Sequence, residues 1–185
     1  MEPGFEALVS IAVGVALAAA CGFRVFVPLL ALSLAARGGH LPLASGFDWI
    51  GSTPALWAFA TATVLEVAAY KVPWLDHLLD VAATPAAVVA GMLATASVVA
   101  DLPPVVRLFV AIVGGGGAAG IVQGATVLMR MKSTAVTGGL ANPLFATAEL
   151  GGALVTSFLA LVLPLIGLMV VAGLCVVVFS RRAST

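Results

Sequence analysis

Ala18-Ala19-Ala20-Cys21-Gly22-Phe23-Arg24-Val25-Phe26-Val27-Pro28 is the stretch that decides how this chain folds. It lies inside an apolar run from Ala7 to Ala36 whose only charged member is Arg24. A charge in hydrocarbon costs from about 3 to over 10 kcal/mol unless it reaches water or a partner. Arg24 is therefore expected to face a helix-bundle interior or an aqueous cavity, beside a weak point at Cys21 and Gly22.

Working outward, the rest of the chain matches that reading. Of its 185 residues, 62% are hydrophobic and 9% charged, where a soluble domain carries about 25% charged. The polar surface needed to face water all round is missing, so an all-α integral membrane protein is expected, as one transmembrane domain over residues 1–185. Eight basic residues balance eight acidic ones, which removes any bulk attraction to nucleic acid. Cys21 and Cys175 both sit in apolar segments and read as packing residues rather than a disulfide. Ala18-Ala19-Ala20-Cys21 has the look of a lipoprotein cleavage box, but a signal peptide needs a basic leading region, and here Glu2 and Glu6 come first. The run is expected to stay as a span.

Proline marks the helix starts, since it is tolerated in the first turn and disruptive later. Thr53-Pro54, Thr84-Pro85, Asn142-Pro143 and Leu163-Pro164 each head an apolar run. The expected helices are 7–36, 54–72, 85–100, 105–130, 143–162 and 164–180. A single helix over 143–180 would extend about 57 Å, nearly twice the hydrocarbon thickness, so a hairpin at Pro164 is expected. Six spans place Lys71, Arg130, Lys132, Arg181 and Arg182 on one side against Arg37 and Arg107 on the other. The positive-inside rule makes the first side cytoplasmic, with both termini inside a plasma membrane. Without the Pro164 turn the count becomes three against four. Trp49 and Trp57 suit headgroup-level anchoring outside and Trp74 inside, and residues 73–82 have the spacing of a short interfacial helix.

Three spans followed by three give halves of opposite orientation, about 7–101 and 105–181, the layout of an inverted repeat. Each half opens with an over-long apolar run containing a weak point: Cys21 and Gly22 with Arg24, then Gly114, Gly115, Gly116 and Gly117 with Gly120, Gln123 and Gly124. Interrupted helices in matching positions point to a central binding site. The same glycines, Gly116-x3-Gly120-x3-Gly124 and Gly14-x3-Ala18-x3-Gly22, also suit close helix packing.

Ala19 to Pro28, Val64-Leu65-Glu66, Pro73-Trp74-Leu75-Asp76, Ala83-Thr84-Pro85-Ala86-Ala87, Lys132-Ser133-Thr134 and Gly138-Gly139-Leu140-Ala141-Asn142-Pro143 resemble a family of small bacterial inner-membrane proteins catalogued as a domain of unknown function. The resemblance spans nearly the whole chain. It implies a polytopic membrane protein and brings no activity, substrate or cofactor with it.

Glu66 and Glu149 each fall about 8–9 Å below the inner surface in straight helices. Two carboxylates at one depth can bind a cation or share a proton, although Lys71, Arg130 and Lys132 near that level offer simple neutralising pairs. Glu149 is the first expected partner of Arg24 and Glu66 the second, provided that a kink at Gly22 or a water chain closes the gap in depth. Asp76 and Asp80 share a helical face and, with Glu66, form a candidate divalent-ion site. His40 and His77 are expected on opposite faces of the membrane. No nucleophile elbow, phosphate loop or zincin helix is present.

Three functional classes follow. The first is a small transporter or channel-like protein for a small solute or ion, with a pathway lined by Arg24, Glu66, Gln123, Asn142 and Glu149, surrounded by membrane lipid and self-associating through the 116–124 stripe. The second is a non-transporting scaffold, assembly or lipid-organising protein with Arg24 in a structural ion pair. A lipid enzyme using Asp76, His77 and Asp80 is a third class.

Overall fold

The computed structural model of the protein describes residues 3–72 and 76–183; the side chains of residue 3, 76–79, 174–175 and 177–183 lie outside the description. Among the described residues all regular secondary structure is helical, with no strand. The helices are α1 (Pro3–Phe23), α2 (Phe26–Arg37), α3 (Thr53–Ala69), α4 (Asp76–Val98), α5 (Pro104–Phe109), α6 (Gly117–Thr137), α7 (Asn142–Val162) and α8 (Pro164–Ala183). A 3₁₀ turn, Asp48–Gly51, precedes α3, and a π-helical segment, Val110–Gly116, joins α5 to α6.

Among the described residues, four helices are long and apolar enough to cross a membrane: Gly4–Phe23, Asp80–Val98, Pro104–Thr137 and Asn142–Val162. Phe26–Arg37, Thr53–Ala69 and Pro164–Gly173 are shorter apolar helices. Val105 is 80% exposed, Phe109 65% and Phe158 62%. An apolar surface of that kind suits hydrocarbon and not water.

The first apolar run is interrupted where the sequence suggests, but the outcome is not one kinked span over 7–36. The chain doubles back at Arg24-Val25. Phe5 and Glu6 near the start of α1 line one cavity together with His40, Leu161 and Pro164. Had α1 and α2 run straight on, Phe5 and His40 would stand about 50 Å apart. Past α2, the Ala44 amide donates to the Ser97 carbonyl at 2.7 Å, and Ser97 neighbours Val98, which packs on Gly14 of α1. Gly22 allows the turn to tuck in: a Cβ there would lie 2.6 Å from the Ala119 carbonyl oxygen and from Val122 Cβ of α6.

The bundle thus has an amino-terminal end, with residues 5–6, 40–44, 97–101 and 161–164, and an opposite, charged end that carries the clustered Arg24, Asp80, Arg130 and Glu149. Arg37 Nη1 donates to Thr53 Oγ1 at 2.8 Å, which starts α3 at the amino-terminal end. The α4 helix comes back from the charged end, where Tyr70 Oη donates to Asp80 Oδ1, to the level of Gly14, whose carbonyl accepts from Thr95 Oγ1 at 3.0 Å. The π-segment packs on α4 through Gly115, set against Gly91 and Thr95. Turning at Leu163-Pro164 as expected, α8 starts at the amino-terminal end, with Gly167 packed on Ala160 and Ala16. Twenty residues carry it about 30 Å toward the charged end. Pro3, at the start of α1, and Ala183, at the end of α8, therefore stand at opposite ends of the bundle.

Other expectations are corrected by the same geometry. Residues 7–101 contain four helices, α1 to α4, rather than the three expected. Residues 76–82 are the first turns of α4, not a separate interfacial helix, and 73–75 lie outside the described residues. Pro85 sits inside α4, with Thr84 Oγ1 donating to the Asp80 carbonyl at 2.8 Å. Ser52, not Thr53, caps α3, accepting from the Ala55 amide at 3.3 Å. Glycines 114–117 do not break the second long helix; the wider π-turn absorbs them. The α6 helix continues past residue 130 to Gly138, whose φ of 65° ends it.

Candidate functional site

The break between α1 and α2 leaves the first amides of α2 without helical partners, and Val25 supplies no side-chain cap. Glu66, one turn before the end of α3, takes them both. Its Oε1 accepts from the Val25 amide at 2.8 Å and its Oε2 from the Phe26 amide at 3.1 Å. A carboxylate at a helix amino terminus is favoured by the macrodipole as well as by the two hydrogen bonds.

Because the chain reverses just there, Arg24 turns into the bundle at the level of the carboxylates and is 2% exposed. Its Nη2 donates to the Ala146 carbonyl at 2.8 Å and lies 3.5 Å from Glu149 Oε2. Its Cζ stands 3.9 Å from the centre of the Tyr70 ring. The remaining donors, Nε and Nη1, are buried with no hydrogen-bond partner. The reversal supplies what a straight helix could not: Arg24 meets Glu149 without a water chain.

Arg130 of α6 binds the cluster together. Its Nε donates to Glu149 Oε1 at 2.9 Å, its Nη2 to Glu149 Oε2, and its Nη1 to Asp80 Oδ1 at 3.0 Å. Its Cζ is 4.2 Å from the centre of the Tyr70 ring, so both guanidinium groups rest on one aromatic. Tyr70 Oη donates to Asp80 Oδ1 at 3.2 Å. Two cations and the three carboxylates of Glu66, Asp80 and Glu149 are thereby concentrated at one end of the bundle, with a formal excess of one negative charge.

Beside the cluster lies a cavity of about 340 Å³ between α2, α3 and α4. Glu66 and Tyr70 form its polar wall; Val25, Phe26, Leu65 and Ala83 are among its apolar lining. Small alanines on α3 and α4 keep it open.

Of the residues singled out in the sequence, Arg24, Glu66 and Glu149 are brought together. Gln123 and Asn142 are buried at 4% and 3% exposure, but each stands seven residues, about 10 Å along its helix, from the charged residue of that helix. Asn142 Nδ2 instead donates to Thr134 Oγ1 at 3.0 Å. Of the candidate divalent-ion ligands, Asp80 is engaged by Arg130 and Tyr70 and Glu66 caps α2, while the Asp76 side chain, like that of His77, lies outside the described residues. Among the described residues, no group of three His, Cys, Asp or Glu is placed to hold a metal. Cys21 is buried and free.

The glycines of the row differ in their surroundings within the chain. Gly117 and Gly124 face open space and Gly120 has ordinary room beside Val88, whereas Gly14, Gly22, Gly91 and Gly115 are the tight contacts. The α1 stripe of Gly14, Ala18 and Gly22 thus packs closely as expected, and the 116–124 stripe does so only at Gly116, against Met92. Sequence reasoning passed over Tyr70 entirely. Its one signal is that it closes an apolar helix next to Lys71, one turn after Glu66.

Fold and site together define a helical, apolar protein of membrane type with a charged centre at one end of its bundle. The model of DUF4126, a domain of unknown function, matches residues 11–182, and the chain belongs to that family. No curated protein and no solved structure matches it.

Proposed function

We propose that the protein is a small transporter or channel-like protein for a small solute or ion. The observation that carries this reading is the first apolar run, broken into two helices at Arg24-Val25 next to a cavity whose wall includes Glu66. Discontinuous helices place backbone ends and charges at substrate sites in membrane transporters. Arg24 supports the binding of an anionic or oxygen-bearing group, since two of its buried donors have no partner. Glu66 is the coupling group. A proton or cation that takes its charge weakens its hold on the Val25 and Phe26 amides and frees the start of α2 to move.

With Lys71, Lys132, Arg181 and Arg182 at the charged end, against Arg37 and Arg107 at the other, the charged end is cytoplasmic. The carboxyl terminus is then inside and the amino terminus outside, in a plasma membrane of bacterial type. Self-association, expected for so small a chain, would use the face left open at Gly117 and Gly124.

One observation favours the scaffold reading: Arg130 satisfies Glu149 and Asp80 together, as a structural ion cluster does. A solute screen in proteoliposomes separates the two. Wild-type protein should carry at least one small solute, and Arg24→Ala should abolish the flux while keeping its fold. Absence of flux for every solute, with Arg24→Ala merely unstable, would favour the scaffold.

A further inference from the structure

A second groove, of about 590 Å³, runs along α2 between α3 and α7. It extends from Val27 and Leu150, next to the charged cluster, to His40 and Val162 at the amino-terminal end. Along α7 this is twelve residues, about 18 Å. Its walls are leucine, valine, alanine and phenylalanine, except for His40 at its end and the hydroxyl-bearing Thr63 of α3 and Ser157 of α7. These two hydroxyls are the anomaly. The hydroxyls of Ser10, Thr84, Ser97, Thr126, Thr137 and Thr147 each donate to a carbonyl three or four residues back, at 2.8–2.9 Å. Thr63 Oγ1 and Ser157 Oγ, like Ser133 Oγ of α6 away from the groove, are buried with no hydrogen-bond partner. Ser157 is 2% exposed.

A buried hydroxyl without a partner costs about 1–3 kcal/mol. Both belong to residues lining the same groove, and rotation about χ1 swings either toward it. Ser157 stands six residues before the Leu163 turn, about 9 Å below it, near the depth at which interface gives way to hydrocarbon. We infer that this groove holds one acyl chain of a bilayer lipid, with the carbonyl oxygen of its ester accepting from Ser157 or Thr63 and its headgroup near His40. The long apolar lining accommodates the chain, and the two donors fit a group that carries acceptors only. The inference is independent of the transport reading.

The test uses full-length protein in vesicles of phosphatidylethanolamine and phosphatidylglycerol, containing a trace of phosphatidylethanolamine with a diazirine on one acyl chain. Photolabel should concentrate several-fold in peptides covering 27–35 and 150–162 over the equally apolar, exposed peptide of α5. Ala31→Trp, which fills the groove, should reduce that excess to the α5 level, as should Leu154→Trp if the first variant folds poorly. Thr63→Val with Ser157→Ala should lower it several-fold at an unchanged thermal midpoint. Equal labelling of groove and α5, or an excess that survives both tryptophans, would overturn the inference. So would cross-links joining the groove to a second copy of the chain.

Discussion

Arg24 Nη2 lies 3.5 Å from Glu149 Oε2, the same oxygen that receives Arg130 Nη2. Arg24 is therefore the second cation on a carboxylate that already has a bidentate partner. The two arginines are not equivalent, and their removal should not be either.

Arg130→Gln should be the most damaging single change at the site, costing about 3–5 kcal/mol, because it strips Asp80 and Glu149 of their common partner. Arg24→Gln leaves the Arg130–Glu149 pair intact and should cost less. Glu149→Gln with Arg24→Gln should be more stable than Glu149→Gln alone, since one unmatched cation is gone, yet fall short of wild type because Arg130 has still lost a carboxylate. Thermal midpoints in detergent, ranked across these variants, check this. Equal losses for Arg24→Gln and Arg130→Gln would contradict the shared-carboxylate geometry.

Glu66 holds the start of α2 through two amides. Glu66→Ala should cost about 2 kcal/mol and raise amide hydrogen exchange at Val25 and Phe26. Glu66→Gln retains an acceptor and should lie between the alanine variant and wild type. Unchanged exchange at those two amides in Glu66→Ala would mean that the carboxylate is not their cap.

Bulk should be resisted where helices touch and accepted where they do not. Gly22→Ala places a methyl against the Ala119 backbone and should destabilise by about 1–3 kcal/mol. Gly124→Ala, in open space, should be neutral or slightly stabilising through helix propensity. Folded yield and thermal midpoint of the pair decide it. A tolerated Gly22→Ala would place the α1–α6 contact wrongly.

Topology follows from the reversal at Arg24. Reporters at the amino terminus and at Ser45 should read the same side, and a reporter at the carboxyl terminus the other. An amino terminus found opposite Ser45 would restore a single span over 7–36.

How much of this was legible in the sequence depended on whether a feature was local. Arg24 in its apolar run announced a buried charge, Gly22 a close approach, and Pro54, Pro143 and Pro164 the starts of α3, α7 and α8. Each follows from rules that act within one turn of helix. The reversal was not legible: a break is visible at Cys21-Gly22, but whether the chain continues or returns depends on α6 and Glu66, far along the sequence. For the same reason Arg130 read as only one of three cations able to neutralise the carboxylates, and Asp80 as a candidate metal ligand rather than as its partner. Only the packing of α4 and α6 on α1 brings them to Tyr70. The glycines of 114–117 misled because four in a row suggest a break, whereas α4 packs against Gly115 and Gly116 and a π-turn holds the helix together.

The transport reading makes one demand above others, that water and solute reach the cavity beside Glu66. In a background with Cys21→Ala and Cys175→Ala, Ala69→Cys and Ala83→Cys place thiols on its wall. The account predicts that both react with a membrane-impermeant thiol reagent from one side of the vesicle, and that a transported solute slows the reaction. Thiols that react only with lipid-soluble reagents, from either side and with no solute protection, would show a closed, dry cluster and contradict it.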